Sequence, residues 1–195
     1  MSETSLSLLE RVRGDGTDEA WQKFTGVYSA LLRSWLMRFE VGSTDAEDLV
    51  QDIFLTLSRE LRNFEHSGRT GAFRNWLRCI LVHRLRDYWR SRKYRPAAIG
   101  GSTWAQELGN LADESSDVSR EWNLAHDQHV MARILESVRP HFEPKTWEAF
   151  HRQVFGGQRA DAVAEELGMP LNSVYVARSR VLSALRREAD GLIGD

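Results

Sequence analysis

Apolar residues recur every three or four positions along most of the chain, a spacing that predicts amphipathic helices. One such run covers residues 18–40, a second covers about residues 44–62, and a third covers about residues 72–92. In the second run, Thr44 with Glu47 three residues later predicts a capping box at the helix start. No segment alternates in the way a half-buried strand does, so the predicted fold class is all-α.

The helical spacing fades in the middle of the chain. The stretch PAAIGG contains turn formers and the stretch DESSD is acidic and polar, a composition typical of a linker. Trp104 and Leu108 in this part indicate that some of it docks onto a protein surface. The sequence therefore predicts two small helical domains joined by a flexible linker, with an N-terminal tail (1–17), a first domain (18–95), the linker (96–124) and a second domain (125–195).

The second predicted domain contains the pattern of a helix-turn-helix. Ala164 is the small residue of its first helix, and Gly168 makes the turn. Segment 171–187 has four arginines and no acid, a local charge of +4 that suits the major groove. An ordinary helical hairpin with a solvated basic face is the alternative. The predicted outward residues of the second helix, whose arginines could contact bases or phosphates, are Asn172, Ser173, Tyr175, Val176, Arg178, Ser179 and Arg180.

The third helical run is strongly basic. Residues 69–95 contain nine Lys/Arg and one acid, Asp87, a local charge of +8. Cations follow a phosphate backbone, and aromatic rings stack on unpaired bases. Phe73 and Trp76 are predicted to be core residues. Four arginines spaced at multiples of four would line one side of the helix, and a solvated basic face is the alternative for them. For two aromatics, core packing is an equal alternative. The residues predicted to contact single-stranded DNA are Arg74, Arg78, Arg86, Arg90, Tyr88 and Trp89.

The second helical run carries an acidic outward face. Residues 40–52 contain five acids and no base. Acids in a first turn also favour the helix dipole, which is the alternative reason for Asp45 and Glu47. A polar face with an exposed leucine suits a protein partner. The residues at i, i+3, i+4 and i+7 that share this face are Asp48, Gln51, Asp52 and Leu55.

The order of these features resembles that of an RNA polymerase sigma factor of the extracytoplasmic-function (ECF) subfamily. TDAEDLVQDIFLTL resembles the family's helix that binds the clamp coiled coil of the polymerase's largest subunit. FRNWLRCILVHRLRDYWRSRK resembles the segment that melts the promoter element near the start site. AVAEELGMPLNSVYVARSRVLSALRR resembles the region that reads the upstream promoter element. The similarity covers about residues 18–95 and 125–190.

The resemblance implies roles for the three surfaces. The acidic face would contact core polymerase, a loop over residues 65–70 would hold a flipped base, and the arginines of the basic helix would grip the non-template strand. The implied partners are promoter DNA, the clamp of the largest polymerase subunit and the flap of the second-largest subunit. The resemblance also allows an anti-sigma factor as a partner. His83 stands where the family usually has Asn, and QRAD stands where a hydrophobic-Glu-Ile start is frequent.

Composition adds exclusions. The chain has 195 residues, a net charge of −2 and a single cysteine, Cys79, which rules out an internal disulfide and is predicted to be buried beside Ile80. Without a signal peptide or an 18-residue apolar span, the chain is expected to be cytoplasmic, with no membrane insertion. His126 and His129 lack a clear third ligand, so neither a metal nor another cofactor is predicted.

Two other classes of protein are alternatives to a sigma factor. No nucleophile–base pair or phosphate-binding loop is readable, so no catalytic residue and no enzymatic activity is predicted. A small recombinase or nuclease would need a catalytic cluster outside the helix-turn-helix. The stronger alternative is a stand-alone helix-turn-helix regulator that binds duplex DNA as a dimer, which symmetric binding to a palindrome without polymerase would favour.

Overall fold

Every element in the described part of the chain is helical, so the all-α prediction is confirmed there. The structure, a computed structural model, describes residues 7–14, 17–64, 71–91, 101–190 and 192–193. No helix in these ranges is long and apolar enough to cross a membrane. Short 3-10 helices cover Leu61–Asn63 and Arg139–His141. The α-helices are α1 (Leu8–Arg13), α2 (Asp18–Arg38), α3 (Ser43–Glu60), α4 (Ala72–Ser91), α5 (Gly101–Ala112), α6 (Asp117–Val138), α7 (Pro144–Val154), α8 (Ala160–Leu167) and α9 (Leu171–Ala189).

The helices form two compact units, built mainly from residues 8–130 and residues 131–190. In the first unit, α1 and α3 pack against α2, and α4 packs against both α2 and α3. Aromatic rings in edge-to-face contact fill its centre, a geometry that such rings favour. Phe24 and Phe73 are fully buried, with ring centroids 5.9 Å apart, as predicted for Phe73.

The N-terminal caps of α2 and α3 differ. The hydroxyl oxygen of Thr17 caps α2 by accepting a hydrogen bond from the Ala20 backbone N–H at 3.3 Å. The capping box predicted at Thr44 is wrong, because α3 begins one residue earlier, with Gly42 as its N-cap and no side-chain hydrogen bond at that cap. Thr44 consequently lies inside the first turn of α3 rather than in front of it.

The flexible linker predicted over residues 96–124 is wrong for residues 101–124. This part forms α5 and the beginning of α6, and α5 packs against α4. Leu108 is 3% exposed, so its predicted docking is confirmed, and Trp122 is fully buried. The polar turn between the helices is compact, since the buried Ser119 hydroxyl donates to a backbone carbonyl at the end of α5 at 3.0 Å. Its serines and acids suggested a solvated linker although they form a turn.

The predicted N-terminal tail also contains structure. Leu8, Leu9 and Val12 of α1 are buried, and α1 contacts α2 and the 3-10 helix at Leu61–Asn63. Residues 8–13 therefore belong to the first unit rather than to a tail. A six-residue helix is too short to produce a recognisable hydrophobic period.

In the second unit, α7, α8 and α9 enclose a small core. Gly168 ends α8 in the left-handed conformation, with φ of 60°, which glycine adopts without strain. Its backbone N–H donates to the Ala164 carbonyl, and the Met169 N–H reaches the same carbonyl at 2.9 Å. The turn predicted at Gly168 is present, and α9 after it extends for 19 residues. The buried residues of this core are Ala149, Val163, Ala164, Val174 and Ala177.

Cys79 is exposed, contrary to the prediction of a buried thiol. Its neighbour Ile80 is buried. Each residue turns a helix by about 100°, so a position next to a core residue faces a different direction.

Candidate polymerase and nucleic-acid surfaces

The acidic face of α3 is directed to solvent. Asp48, Gln51 and Asp52 are exposed, and Leu55 is 53% exposed. At about 100° per residue, these four positions fall within roughly 100° of arc. The structure therefore brings together all four residues predicted to contact polymerase, opposite a buried stripe formed by Ala46, Val50, Ile53 and Leu57.

The C-terminal half of α4 carries the accessible part of the basic helix. Arg86 and Arg90 are exposed, and Arg90 donates a hydrogen bond to Asp87 at 2.5 Å. The half-buried Tyr88 donates its hydroxyl to Asp45 of α3 at 2.8 Å, and its ring meets Trp89 edge-on at 5.0 Å between centroids. Both aromatics combine packing with partial exposure. The loop predicted to hold a flipped base, residues 65–70, lies outside the described residues.

Arg74 and Arg78 do not share that accessible surface. A step of four residues advances a helix by about 40° beyond a full turn, so the row from Arg74 to Arg90 rotates through about 160°. The prediction that the four arginines line one side of α4 is therefore wrong. The Arg74 side chain is 12% exposed and that of Arg78 is 1% exposed. Both contact the segment of residues 101–130, which comprises α5, the turn after it and the first part of α6. We call this segment the cover.

A buried hydrogen-bond network fixes the cover to α2 and α4. Arg74 donates to one carboxylate oxygen of Asp127, and Nδ1 of His126 lies 2.9 Å from the other. The Tyr28 hydroxyl lies 3.3 Å from Nε2 of His126. Because an ionised carboxylate only accepts, His126 carries its proton on Nδ1 and Nε2 accepts from Tyr28. Nε2 of His129 donates to a backbone carbonyl of α2 at 2.7 Å. Both histidines considered as metal ligands are thus engaged in the fold.

Trp122 is the apolar centre of the same contact. Its ring meets Trp35 of α2 edge-on at 5.2 Å between centroids, and its indole N–H donates to the Arg74 carbonyl at 3.4 Å. Nearer the surface, Arg38 forms two hydrogen bonds to the Glu121 carboxylate, at 2.5 and 2.9 Å. The cover is therefore held by a buried aromatic pair, a buried polar network and a surface ion pair.

Burial sets the charge states in the network. Burial lowers the pKa of His126 below its usual value of 6.5, outweighing the neighbouring Asp127, which acts to raise it. Burial also acts to raise the pKa of Asp127, but hydrogen bonds from His126 and Arg74 prevail and lower it. A neutral imidazole and an ionised carboxylate are the states that the hydrogen bonds require.

We expect the first unit to lose stability as the pH falls below about 6.5. The unfolded chain protonates His126 near that pH, whereas the folded chain does so only at lower pH, so acidification favours unfolding. Urea unfolding followed by circular dichroism from about pH 8 to about pH 5 measures this slope. His126→Gln should reduce the slope, while His141→Gln, at an exposed position of the second unit, should leave it unchanged. Equal slopes of stability against pH in the two variants would contradict the attribution of this pH dependence to His126.

The predicted recognition face of α9 is directed to solvent. Tyr175 is 53% exposed and Val176 is 44% exposed, although both are large and partly or wholly apolar. Such side chains suit thymine methyl groups, and short polar side chains suit base edges in the major groove. The other members are exposed apart from the half-buried Ser173: Asn172, Arg178, Ser179 and Arg180.

An apolar groove between the end of α6 and α7 was missed by the sequence analysis. Phe155 at its edge is 56% exposed. Aromatic residues within a charged rim are typical of protein–protein contacts. The only sequence signal was the spacing of Trp147, His151 and Phe155 in steps of four. The groove is lined by Leu135, Glu136, Arg139, Trp147, Glu148, His151 and Phe155.

Comparison with known proteins relates the chain to RNA polymerase sigma factors. Residues 26–95, which include α3 and α4, match the model of sigma-70 region 2. The RNA polymerase sigma factor CnrH of Cupriavidus metallidurans is 28% identical over 185 residues, 91% of this chain and 92% of that protein. The ECF RNA polymerase sigma factor SigF of Caulobacter vibrioides is 31% identical over 96 residues, 48% of this chain and 51% of that protein. The chain is thus similar to RNA polymerase sigma factors, including one of the ECF subfamily.

A further relative agrees with this sigma factor assignment. The RNA polymerase sigma factor HrpL of Pseudomonas syringae pv. syringae is 22% identical over 162 residues, 82% of both chains. The function is accordingly that of a sigma factor, which directs promoter-specific transcription with core RNA polymerase and promoter DNA as partners. Sigma factors are not enzymes in general, and these relatives do not favour the stand-alone regulator. The region 2 match ends before the cover begins.

Proposed function

We propose that the sigma factor divides its work among three helices: α3 binds core polymerase, α4 contacts the melted strand, and α9 reads the upstream promoter element. The observation that carries this division is the exposure of the residues concerned. Asp48, Gln51, Asp52 and Leu55 of α3 and the recognition residues of α9 lie opposite buried faces, so they are free to meet partners. None of these polar side chains is needed for the core.

On α4, strand contact falls to the exposed Arg86 and Arg90 together with Tyr88 and Trp89. A guanidinium beside partly exposed aromatic rings suits a single strand, whose phosphates and unpaired bases alternate. The clamp of the largest subunit is the proposed partner of α3. The flap of the second-largest subunit is a proposed partner of the second unit, where the aromatic groove at Phe155 offers a surface. An anti-sigma factor is a further partner that the family resemblance allows.

Sequencing the transcripts made by core polymerase with and without the chain tests the proposal. New transcript starts that share upstream elements and appear only with the chain are expected. Identical transcripts in both reactions would reject it. Symmetric binding of the chain alone to a palindrome would favour the stand-alone regulator instead.

The promoters found in this way allow the DNA-contacting helices to be separated. Ser173→Ala or Val176→Ala should change which promoters are used, because a lost base contact costs about 1–3 kcal/mol at one position. Arg86→Ala should weaken all promoters alike and reduce the slope of log affinity against log salt by about one unit. Competition transcription and salt titration measure these effects. If the Arg86 variant opened promoters normally but changed which promoter sequences are preferred, the roles proposed for α4 and α9 would be reversed.

A further inference from the structure

Arg78 is buried in an unusual way. Its side chain is 1% exposed, and no guanidinium nitrogen has a hydrogen-bond partner among the described residues. Among the described residues, its acidic partner is Glu114 of the cover, 3.3 Å from Nη2, and the Glu114 side chain is itself 72% exposed. Burying a charge is costly unless the charge is well paired and hydrogen-bonded. The cover therefore holds Arg78 in an environment that satisfies it poorly.

The cover and α4 are complementary in charge. Residues 113–127 of the cover contain five acids and one base. Two of those acids, Glu114 and Asp127, pair with Arg78 and Arg74 on the buried side of α4. Asp113 is also close enough for the charge of Arg78 to help lower its pKa, after the hydrogen bonds from Ser115. Carboxylates of the cover therefore occupy the side of α4 on which Arg74 and Arg78 could otherwise bind the phosphates of a strand.

We propose that the cover is an intramolecular mimic of the DNA backbone, which masks Arg74 and Arg78 and is displaced when the melted promoter strand binds α4. This rests on the proposed function of α4. The partner is the phosphodiester backbone of single-stranded DNA, which could supply the hydrogen-bond acceptors that Arg78 lacks in the masked state. The free energy of strand binding then has to exceed that of the cover's contacts through Trp122 and the His126 network. The free sigma factor therefore binds single strands weakly.

Locking the cover tests the proposal. Arg38 and Glu121 pair at the surface, and their side chains are 37% and 56% exposed, so cysteines at these positions are accessible. In a Cys79→Ser background, Arg38→Cys with Glu121→Cys can be bridged by a bis-maleimide whose spacer contains a reducible disulfide. Neither residue belongs to α4, so the bridge fastens the cover without altering Arg74 or Arg78.

The locked and reduced forms are compared in holoenzyme on a mapped promoter, with permanganate reactivity as the measure of opening. We expect the locked form to bind core polymerase normally but to open the promoter at least about tenfold less, with recovery after reduction. Equal opening by both forms would overturn the masking proposal while leaving the sigma function intact. Failure of the unmodified chain to open any promoter with core polymerase would instead refute the proposed function.

A charge variant tests the same idea without a crosslink. Glu114→Gln removes the exposed partner of Arg78 and should raise the affinity of the full chain for a fluorescein-labelled single-stranded oligonucleotide by about threefold, since exposed pairs contribute little. Asp117→Asn is the matched control: it removes one charge from the cover, but Asp117 pairs with Arg120 of the same helix. Adding Arg78→Gln to Glu114→Gln should cancel the gain. Equal affinities for Glu114→Gln and Asp117→Asn would contradict masking, and a gain that survives Arg78→Gln would exclude Arg78 as the masked group.

Discussion

Reversing two charges on α3, Asp48→Arg with Asp52→Arg, should abolish co-purification with core polymerase. Both carboxylates lie on the outward face, one helical turn apart and beside Leu55. Introducing like charge into a complementary interface costs several kcal/mol, which corresponds to a loss of at least about 100-fold in affinity. Helical circular dichroism should not change, because exposed substitutions usually shift stability by less than about 0.5 kcal/mol.

A control with the same change in net charge separates the face from the total charge. Glu19→Arg with Glu107→Arg reverses two exposed acids on α2 and α5, away from the α3 face. This pair should co-purify with core polymerase as the wild type does. Normal binding by the α3 variant, or equal loss in both double variants, would remove the assignment of α3 as the polymerase contact.

Replacing Trp122 with alanine should destabilise the first unit strongly. Removing a fully buried tryptophan costs about 3–5 kcal/mol through lost burial and the remaining cavity. The loss also removes the contact with Trp35 and the hydrogen bond to the Arg74 carbonyl. Urea unfolding monitored by circular dichroism should show the transition of the first unit at a lower urea concentration than in the wild type.

The neighbouring Leu124 supplies the control for this change. Leu124 lies on the same helix and is 59% exposed, so Leu124→Ala should shift the unfolding free energy by less than about 0.5 kcal/mol. Comparable effects of Trp122→Ala and Leu124→Ala would show that the cover is not packed on α2 and α4 in solution.

Sequence pattern predicted well those features that repeat over several turns and face a single core. The α3 face was predictable because steps of three and four residues nearly cancel over two turns, leaving Asp48, Gln51, Asp52 and Leu55 together. The turn at Gly168 was predictable because few residues other than glycine tolerate its φ. The same rule failed on α4, where repeated steps of four drift in one direction and separate Arg74 from Arg90.

The cover was missed for a different reason. Its polar turn has the composition of a linker, and composition alone does not show whether serines and acids are solvated or paired. Trp122, His126 and Val130 repeat at steps of four and are all buried, but this stripe was divided by the predicted boundary at residue 125. The opposite charges of the cover and α4 were the remaining signal, and that signal is visible only when two distant segments are compared.

The division between the units falls inside α6, an uninterrupted helix from Asp117 to Val138, and this constrains how promoter preference can be transplanted between relatives. A chimera joined between residues 96 and 124 would take part of the first unit's core from a foreign parent. Trp122, His126 or Asp127 would then pack against α2 and α4 of a different parent, with which they did not evolve. A junction after Val130, with the helical phase of α6 preserved, would exchange α7 to α9 and leave the cover with its own α2 and α4.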